Sequence, residues 1–284
     1  MKKNNTKLGE YQKIFSVFVV LIIFSCSPQV VPQQTQIVVK EEKVEPVPKV
    51  ELSKKLLASY PFNGNADDNS GNGNDGIVYG ATLTEDRFGN QNSAYSFDGK
   101  DDFIEILPNS PEFSSMGDFT VSMWVSFNSF SKKVVVKNHY DRQYIFNGHA
   151  TSKSVKSNFY SDGFSIFYDW LKNNSELFVG GMNKLGPGSK EIHTNLPEKN
   201  KWTHISMVRN GDKLLQYVNG KLVSREVGLP NTLNMNHSLF IGTFGGNNPY
   251  FNKNYNYSFN GKVDDVKLYN SALSAEEIKK DSES

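Results

Sequence analysis

The sequence predicts an all-β domain over residues 55–284, built as one antiparallel β-sandwich with a short C-terminal helix. Apolar and polar side chains alternate over Phe119–Phe127, which is the period-two pattern of a long strand. Two Asn-Gly turns, Asn210-Gly211 and Asn219-Gly220, are each flanked by alternating residues, and this is the strongest local signal for a β-hairpin. The sequence shows no helical pattern apart from two helical turns near the C-terminus. Many short strands separated by turns indicate a sandwich rather than a helical or mixed fold.

The first residues have the pattern of an export signal. Basic residues up to Lys13 precede the apolar run Ile14–Phe24, which is shorter than the ~20 residues of a membrane-spanning helix. Ser25-Cys26 after this run resembles the lipobox of bacterial lipoproteins. The resemblance implies a signal peptide over residues 1–25 and lipidation of Cys26, including palmitate. The alternative is an ordinary secretory signal with a chance cysteine.

Residues 26–54 are predicted to be a flexible tether, because prolines alternate with Gln, Val, Lys and Glu and keep such a segment extended. We therefore expect a lipid-anchored protein of the bacterial cell envelope, at the outer membrane. Cys26 is the one cysteine, which excludes an intramolecular disulfide. The formal net charge of +1 gives no electrostatic footprint for nucleic acid.

Strands are predicted along the folded part wherever apolar or alternating runs lie between turn residues. The Phe119–Phe127 strand is expected to be half-buried, with Thr120 and Trp124 on its open face. Residues 183–200 are polar and are predicted to form a long surface loop. The other predicted strands are 56–62, 77–81, 94–99, 103–107, 134–136, 144–146, 163–168, 176–179, 201–209, 214–218, 221–224 and 239–242.

The segment Phe259–Ile278 predicts a turn, a strand and a closing helix. Asn260-Gly261 is expected to form the turn, and Ser274 with Glu277 forms a capping box at the helix start. Asp264 and Asp265 at the head of the strand are unusual, because strands disfavour Asp. They require a positive partner nearby, which we expect to be a metal, a lysine or turn N–H groups.

Taken in order, six blocks of the chain resemble the laminin-G-like, concanavalin A-like jelly-roll domains of bacterial surface lipoproteins. They are 60–73, 95–102, 119–125, 202–205, 217–221 and 259–278. The resemblance implies two curved sheets packed face to face, with ligand binding on the concave face or at the loop rim.

The resemblance also implies a structural calcium that ties the first loop to the last strand. Asp68 and Asp264 are the primary candidates, and Asp98 and Asp265 are weaker ones. Asp141 is the nearest match to the rim calcium site of pentraxin and laminin relatives. The adjacent aspartates could equally be turn residues that bond their own backbone.

Ligand contacts are predicted at the loop rim, where aromatic rings could stack on sugars. The best segment is Gly245–Asn252, with amides and rings side by side; alternatively, most loop aromatics only cover the ends of the sandwich. The rim candidates are Asn247, Asn248, Tyr250, Trp170 and Tyr140.

Catalysis is not expected. Hydrolases of this fold use a Glu-x-Asp-x-x-Glu strand, which is absent here, and glycoside hydrolysis needs two suitably spaced carboxyl groups. His204 is expected to have a packing role. We therefore expect a non-catalytic, lipid-anchored envelope protein that binds carbohydrate or a protein partner. The alternatives are an accessory or degenerate glycoside hydrolase and a purely structural envelope component.

Overall fold

A computed structural model describes residues 56–114, 116–130, 142–148, 163–171, 174–182, 190–229, 235, 237–245 and 257–284. All of them belong to one compact unit, Val50–Ser284. The predicted signal peptide and tether, the strand 134–136, and the site candidates Cys26, Tyr140, Asp141, Asn247, Asn248 and Tyr250 lie outside the described residues.

The described chain is almost entirely strand. The strands are β1 Leu56–Tyr60, β2 Gly76–Tyr79, β3 Thr82–Thr84, β4 Ala94–Asp98, β5 Phe103–Ile106, β6 Phe119–Phe127, β7 Arg142–Asn147, β8 Ser165–Leu171, β9 Asn174–Met182, β10 Lys190–Asn195, β11 Thr203–Asn210, β12 Lys213–Val218, β13 Lys221–Val227, β14 Leu239–Ile241 and β15 Asn260–Tyr269. A 3₁₀ turn covers Pro111–Ser114, and the helix α1 covers Ala275–Asp281.

These strands form two antiparallel sheets. The eight-stranded sheet has the order β13-β12-β11-β6-β15-β4-β3, with β1 also paired to β15, and the seven-stranded sheet has the order β10-β9-β8-β7-β14-β5-β2. The first strand therefore meets the last, as the sequence predicted for the closure of the domain. The antiparallel sandwich and the short C-terminal helix are both confirmed.

The core lies between the sheets. Phe119, Val121, Met123, Val125 and Phe127 of β6 are all fully buried and face apolar side chains of β7, β8 and β14, as period-two alternation requires. The other face of β6 is buried too, so the prediction of a half-exposed strand was wrong. Thr120 and Ser122 on this face have no exposed surface, because the C-terminal segment covers them: Thr120 bonds Ser271 and Leu273, and Ser122 bonds Asp281.

Three local predictions also need correction. The stretch 183–200 contains β10, which pairs with β9 and was missed because its residues are polar. The short strand β3 was missed as well. Asn260-Gly261 forms no turn and belongs to β15. The glycine is needed there because a Cβ would lie 2.2 Å from the carbonyl oxygen of Ser126.

The helix α1 begins where the sequence placed it. Ser274 and Glu277 form the predicted capping box, and Ile278 is the helix's buried residue. Ile278 packs with Val208, Tyr217 and Leu273 on the outer face of the eight-stranded sheet. Within the described residues, no helix has the length and apolarity needed to cross a membrane.

Candidate functional site at the loop end of the sandwich

Several strand ends converge at one end of the sandwich, which we call the loop end. It comprises Asp98–Asp102, Arg142–Tyr144, Gly242–Gly245 and Tyr257–Asn260. The register brings them together, because Asp98 of β4 lies opposite Asn260 of β15. Ser258 Oγ donates to the carbonyl oxygen of Lys100 at 2.5 Å, which joins two of these segments directly. The loop end is thus formed by both sheets.

An acidic turn connects β4 to β5 and crosses from one sheet to the other. Asp98, Asp101 and Asp102 each offer a carboxylate oxygen within 4.8 Å of the others. Lys100 Nζ lies 3.2 Å from Asp98, but its side chain is 80% exposed, and exposed pairs are weak. One ammonium against three carboxylates leaves the turn negative and open to solvent.

The carboxylates of the turn differ in their surroundings. Burial and the nearby Asp98 and Asp101 carboxylates raise the pKa of Asp102, although the Asp98 N–H donates to it at 2.8 Å. Burial also acts on Asp98, but hydrogen bonds from the Lys100 N–H and ammonium outweigh it and lower the Asp98 pKa. Asp102 approaches Gly80 so closely that a Cβ there would lie 2.2 Å from Asp102 Oδ1. Asp102 therefore anchors the turn, and Asp98 and Asp101 point to solvent.

An aromatic cluster lies beside the acidic turn on the outer face of the seven-stranded sheet. Tyr144, Phe167 and Phe244 are buried and pack with the half-buried Tyr257. The Tyr144 ring centroid lies 4.7 Å from Phe244 and 5.7 Å from Tyr257. The Arg142 guanidinium lies 4.8 Å from the Phe167 centroid.

The cluster includes described residues that flank the predicted rim candidates in sequence. Phe244 and Tyr257 flank, in sequence, the stretch that carries Asn247, Asn248 and Tyr250, and both rings belong to the cluster. Trp170 lies near the end of β8, next to Asp169, which pairs with Arg142. Arg142 in turn follows Tyr140 and Asp141 in sequence. The described residues that flank all the rim candidates therefore belong to one end of the sandwich.

Asp68, a primary candidate for the predicted calcium, accepts several hydrogen bonds from its own loop and from β1. Its carboxylate accepts hydrogen bonds from Ser59 N at 2.9 Å, Ser70 N at 2.8 Å, Ser70 Oγ at 2.8 Å and Asn74 N at 3.0 Å. Burial acts to raise its pKa, but these bonds outweigh it and lower the Asp68 pKa. Both carboxylate oxygens of Asp68 are therefore engaged by donors of the protein itself, and a calcium ion would have to compete with these hydrogen bonds for them.

The loop that Asp68 organises covers the free edge of β1. Asn72 Nδ2 donates to the carbonyl oxygens of Leu56 at 2.8 Å and Leu57 at 3.0 Å. Asn74 Nδ2 also donates to Leu57 at 2.8 Å. Side chains of the Asn- and Ser-rich loop thus supply hydrogen bonds to β1 carbonyl groups that a neighbouring strand would otherwise supply.

Asp264 and Asp265 have a positive partner, as the sequence predicted, but it is Arg87, which was not among the expected metal, lysine or turn N–H groups. The guanidinium lies 2.6 Å from Asp264 and 2.7 Å from Asp265. A bulge in β15 between Asp264 and Lys267 and a positive φ of 48° at Asp265 let two consecutive side chains reach one cation. The guanidinium also lies 4.9 Å from the Trp124 ring centroid.

Asp264 shares the single positive charge of Arg87 with Asp265. Burial and the Asp265 carboxylate raise the pKa of Asp264 to about 7, although Arg87 opposes this shift. Asp264 and Asp68 thus engage different partners, Arg87 and a set of donors. The first-loop-to-last-strand closure is made by β1–β15 pairing; calcium between these two residues stays a prediction that their neighbours do not favour.

His204 is buried in a polar network beneath α1, which agrees with its predicted packing role. Its Nε2 lies 3.2 Å from both Ser122 Oγ and Asp281 Oδ2. Ser122 Oγ also donates to Asp281, and Lys267 Nζ lies 2.6 Å from Asp281 Oδ1. Ser206 Oγ lies 3.5 Å from the other ring nitrogen, Nδ1. His204, Ser122 and Ser206 have at most 1% exposed surface, so neither hydroxyl is accessible to a substrate. The network therefore holds the helix in place.

Sequence reasoning missed Arg87 and Asp281, because each acts across a long separation in the chain. Arg87 precedes its partner Asp264 by 177 residues, and no local pattern singles it out. The one usable signal was the adjacent Asp pair itself, which demanded a cation.

Comparison with known proteins identifies related domains. Residues 98–279 match the family model Laminin_G_3, described as the Concanavalin A-like lectin/glucanases superfamily. No match was found among the curated proteins.

Similar solved structures include domain 4 of AbnA, a GH43 extracellular arabinanase from Geobacillus stearothermophilus, solved in complex with arabinotriose. It is 18% identical, has a TM-score of 0.58, and the match covers 80% of this chain and 98% of that one. The receptor-binding domain of botulinum neurotoxin D is 17% identical with a TM-score of 0.55, covering 81% and 52%. The binding domain of Paraclostridial Mosquitocidal Protein 1 is 17% identical with a TM-score of 0.59, covering 80% and 52%. The chain thus spans about half the length of the two toxin fragments. At these identities the likeness concerns the fold.

Proposed function

Since the chain belongs to the Concanavalin A-like lectin/glucanases superfamily, we propose that its folded domain is a non-catalytic module that binds carbohydrate at the loop end. The observation that carries this proposal is an exposed acidic turn beside an aromatic cluster. The turn contributes Asp98 and Asp101, and the cluster contributes the half-buried ring of Tyr257.

The chemistry of these groups suits a sugar. A carboxylate has two acceptor oxygens, so it can accept hydrogen bonds from adjacent hydroxyl groups of one ring. An aromatic ring offers an apolar face to the C–H groups on the flat side of a sugar. Ligand sites combine such apolar surface with a few polar groups that fix orientation.

The relatives support the same class of ligand. Domain 4 of the arabinanase was solved with arabinotriose, so this trisaccharide is a reasonable first probe. The toxin fragments are receptor-binding domains, which makes a protein receptor the outcome to consider if every glycan fails.

The direct test is binding of arabinotriose and a glycan array to the full chain. We expect at least one neutral glycan to bind, and we expect Asp98→Asn combined with Asp101→Asn to weaken its binding at least tenfold. The matched control is Asp212→Asn with Glu276→Gln, which alters two exposed carboxylates outside the loop end and should leave binding unchanged. An empty array, or equal loss in both double variants, would refute the proposal.

Calcium remains a proposal, and the acidic turn suits it better than the Asp68–Asp264 pair. Oxygens within 4.8 Å of one another can share an ion at the ~2.4 Å calcium–oxygen distance. Asp98, Asp101 and Asp102 would hold the ion, which would neutralise the turn and offer coordination positions to sugar hydroxyls. The test is the melting temperature of the full chain with calcium and with chelator. Since a tightly bound ion stabilises by mass action, a shift below about 1 °C would remove calcium from the proposal.

We also propose that Cys26 carries a lipid that anchors the protein at the outer membrane of a bacterial envelope. The support is the order of basic residues, apolar run, Ser25 and Cys26, together with the strength of multi-chain lipid anchors. Mass spectrometry of the N-terminal peptide tests this proposal. An unmodified Cys26, or unchanged membrane association of Cys26→Ser, would contradict it.

A further inference from the structure

We propose that one edge of the eight-stranded sheet docks onto an anionic lipid surface through a region that we call the β13 surface. It consists of three exposed aliphatic side chains and three exposed cations beside them: Leu222, Val223, Val227, Lys213, Lys221 and Arg225. The β13 surface uses none of the residues of the loop end. The proposal therefore depends neither on glycan binding nor on lipidation of Cys26.

Exposed apolar surface is concentrated on β13. Among the described residues, six large apolar side chains are exposed, and three of these six belong to this one strand. Leu222 is 51% exposed, Val223 44% and Val227 50%. In the described part of the chain, β13 is the edge strand of its sheet. Single apolar side chains are ordinary on a protein surface, whereas a group of them rimmed by polar residues marks an interaction site.

The register of the β12–β13 hairpin places this group on the outer face of the sheet. Leu222 lies opposite Tyr217, and Arg225 lies opposite Leu215. Directly opposed residues share a face of an antiparallel sheet. Tyr217 packs with Ile278 of α1, and Leu215 packs against the same cluster. Leu222 and Arg225 therefore lie on the face that carries α1, at the edge beyond the helix.

A register shift explains why Val223 is exposed next to Leu222. Leu222 pairs with Tyr217 and Ser224 pairs with Gln216, so β13 has one residue more than β12 at this point. The extra residue of such a bulge has no directly opposed side chain. Two consecutive aliphatic side chains are thus left uncovered at the sheet edge.

The last turn of α1 adds positive charge beside the β13 surface. Lys279 and Lys280 lie in this turn and are exposed. A Cβ at Gly220 would lie only 3.1 Å from Lys279 Cα, so the end of the helix packs directly on the β12–β13 turn. Lys221 follows this turn in the chain, and the helix therefore extends the row of cations that begins on β13.

Few carboxylates oppose the cations of the strand and its turns. Glu226 lies opposite Leu214, a residue of the core between the sheets, so it belongs to the inner face. Asp212 is exposed in the turn before Lys213.

The carboxylates of the C-terminal segment are also engaged or distant. The acidic residues of the first turn of α1 lie at the opposite end of the helix from Lys279 and Lys280. Asp281 is held beneath the helix by Lys267 Nζ at 2.6 Å. Glu283 lies 3.9 Å from Lys279 in an exposed pair, which stabilises little. Exposed cations therefore outnumber exposed carboxylates along this edge.

The composition of the β13 surface fits a lipid surface better than a protein partner. Protein interfaces are enriched in aromatic residues and depleted in lysine, whereas the exposed apolar side chains here are all aliphatic and most of the cations are lysines. Binding to a membrane surface grows with the apolar area that enters the headgroup layer and with the attraction of Lys and Arg to anionic lipids. The β13 surface offers both contributions on one edge.

The test reads the surroundings of Val223 directly. In the full chain, Cys26→Ser removes the native thiol, and Val223→Cys then carries a polarity-sensitive fluorophore. The matched control carries the label at Ile77→Cys, because Ile77 is also 44% exposed and lies on the edge strand of the other sheet. Each protein is mixed with vesicles of phosphatidylethanolamine and phosphatidylglycerol in equal parts, and separately with vesicles of phosphatidylcholine alone.

With the anionic vesicles, we expect the emission of the Val223 label to shift to shorter wavelength and to rise several-fold. The Ile77 label should not respond, and phosphatidylcholine should affect neither label. Both proteins carry the same N-terminal residues, so a response shared by both labels would not come from the β13 surface. Equal responses, or a silent Val223 label, would overturn the proposal. If labelling at Val223 lowers the melting temperature, a label at Val227 replaces it.

Charge reversal tests the contribution of the cations. Lys221→Glu with Arg225→Glu should weaken the vesicle binding reported by the Val223 label roughly tenfold, and added salt should weaken the binding of the unreversed chain. The control is Lys199→Glu with Lys201→Glu, which makes the same change in net charge at exposed residues outside the β13 surface and should leave binding largely unchanged. Equal losses in the two double variants would show that net charge alone drives association, and would overturn the proposal.

Discussion

Two acidic regions of this domain have nearly the same residues and opposite character. Asp264 and Asp265 lie side by side on the covered outer face of the eight-stranded sheet, where Arg87 bridges them. Asp98, Asp101 and Asp102 lie at the loop end, where the exposed Lys100 pairs with Asp98. In the first region the negative charge is neutralised by a buried cation of the protein. In the second region the carboxylates of Asp98 and Asp101 are exposed to solvent.

The difference teaches that the partner of a carboxylate, more than its presence, decides its role. Buried charges are tolerated only when paired and hydrogen-bonded. Exposed carboxylates such as Asp98 and Asp101 have no such requirement, and an exposed pair such as Asp98–Lys100 contributes little to stability. The comparison predicts that changes in the covered region affect stability and that changes at the loop end affect binding.

The largest effect is expected from Arg87→Met. Removing the guanidinium leaves two carboxylates without their cation and should lower the free energy of unfolding by about 3–5 kcal/mol, as for other broken buried pairs. Denaturant unfolding measures it. The control is Lys201→Met, whose pair with Glu198 is largely exposed and should cost at most about 1 kcal/mol. Equal losses of unfolding free energy in the two variants would contradict the role of Arg87 in neutralising Asp264 and Asp265.

A smaller loss is expected from Asp281→Asn. The amide keeps the shape but gives Lys267 and His204 no anion, and we expect a cost of about 1–3 kcal/mol. Burial acts to raise the Asp281 pKa, but hydrogen bonds from His204, Lys267 and Ser122 outweigh it and lower that pKa. The stability that Asp281 contributes is therefore present above its unfolded pKa of about 4 and is lost as the pH falls below it. Wild type and variant should converge in acid; a constant gap would contradict this.

Asp264→Asn should change how the free energy of unfolding depends on pH more than it changes the magnitude of that free energy. The folded-state pKa of Asp264 is raised to about 7, above an unfolded value of about 4. Its contribution is therefore full below pH 4 and is lost as the pH rises to about 7. Melting temperatures measured between these limits should fall less steeply in Asp264→Asn than in wild type. Parallel curves would show that Asp264 is ionised throughout.

The smallest stability effect is expected at the loop end. Asp98→Asn with Asp101→Asn changes two exposed side chains and should alter the free energy of unfolding by no more than about 0.5 kcal/mol per site, while glycan binding is lost. This is the reverse of the Arg87 result. A large loss of stability here would remove the contrast between the two regions.

The fold was predictable because its signals are local. Alternation in β6, the Asn219-Gly220 hairpin and the Ser274 capping box depend on neighbouring residues and were confirmed. The strand β10 was not predicted because its residues are polar. The covered face of β6 was not predictable because the segments that bury it are distant in the chain.

The candidate site was predictable in part for the same reason. Asp98 stood out by composition, but only the register of β4 with β15 shows that it lies beside Asn260 and the residues that follow the Gly245–Asn252 segment in the chain. The Asp264–Asp265 pair predicted a positive partner. The sequence could not identify it as Arg87, because Arg87 lies 177 residues before Asp264. Composition can identify a group of unusual residues, whereas topology decides which of them meet.

The loop that covers β1 has a consequence for solubility. Asn72 and Asn74 occupy the carbonyl groups of Leu56 and Leu57 that would otherwise present an unpaired strand edge to other molecules. Open edges are templates for intermolecular pairing and aggregation. The polar residues of this loop, which at first suggest a metal site, therefore block edge-to-edge pairing of β1 with a strand of another molecule.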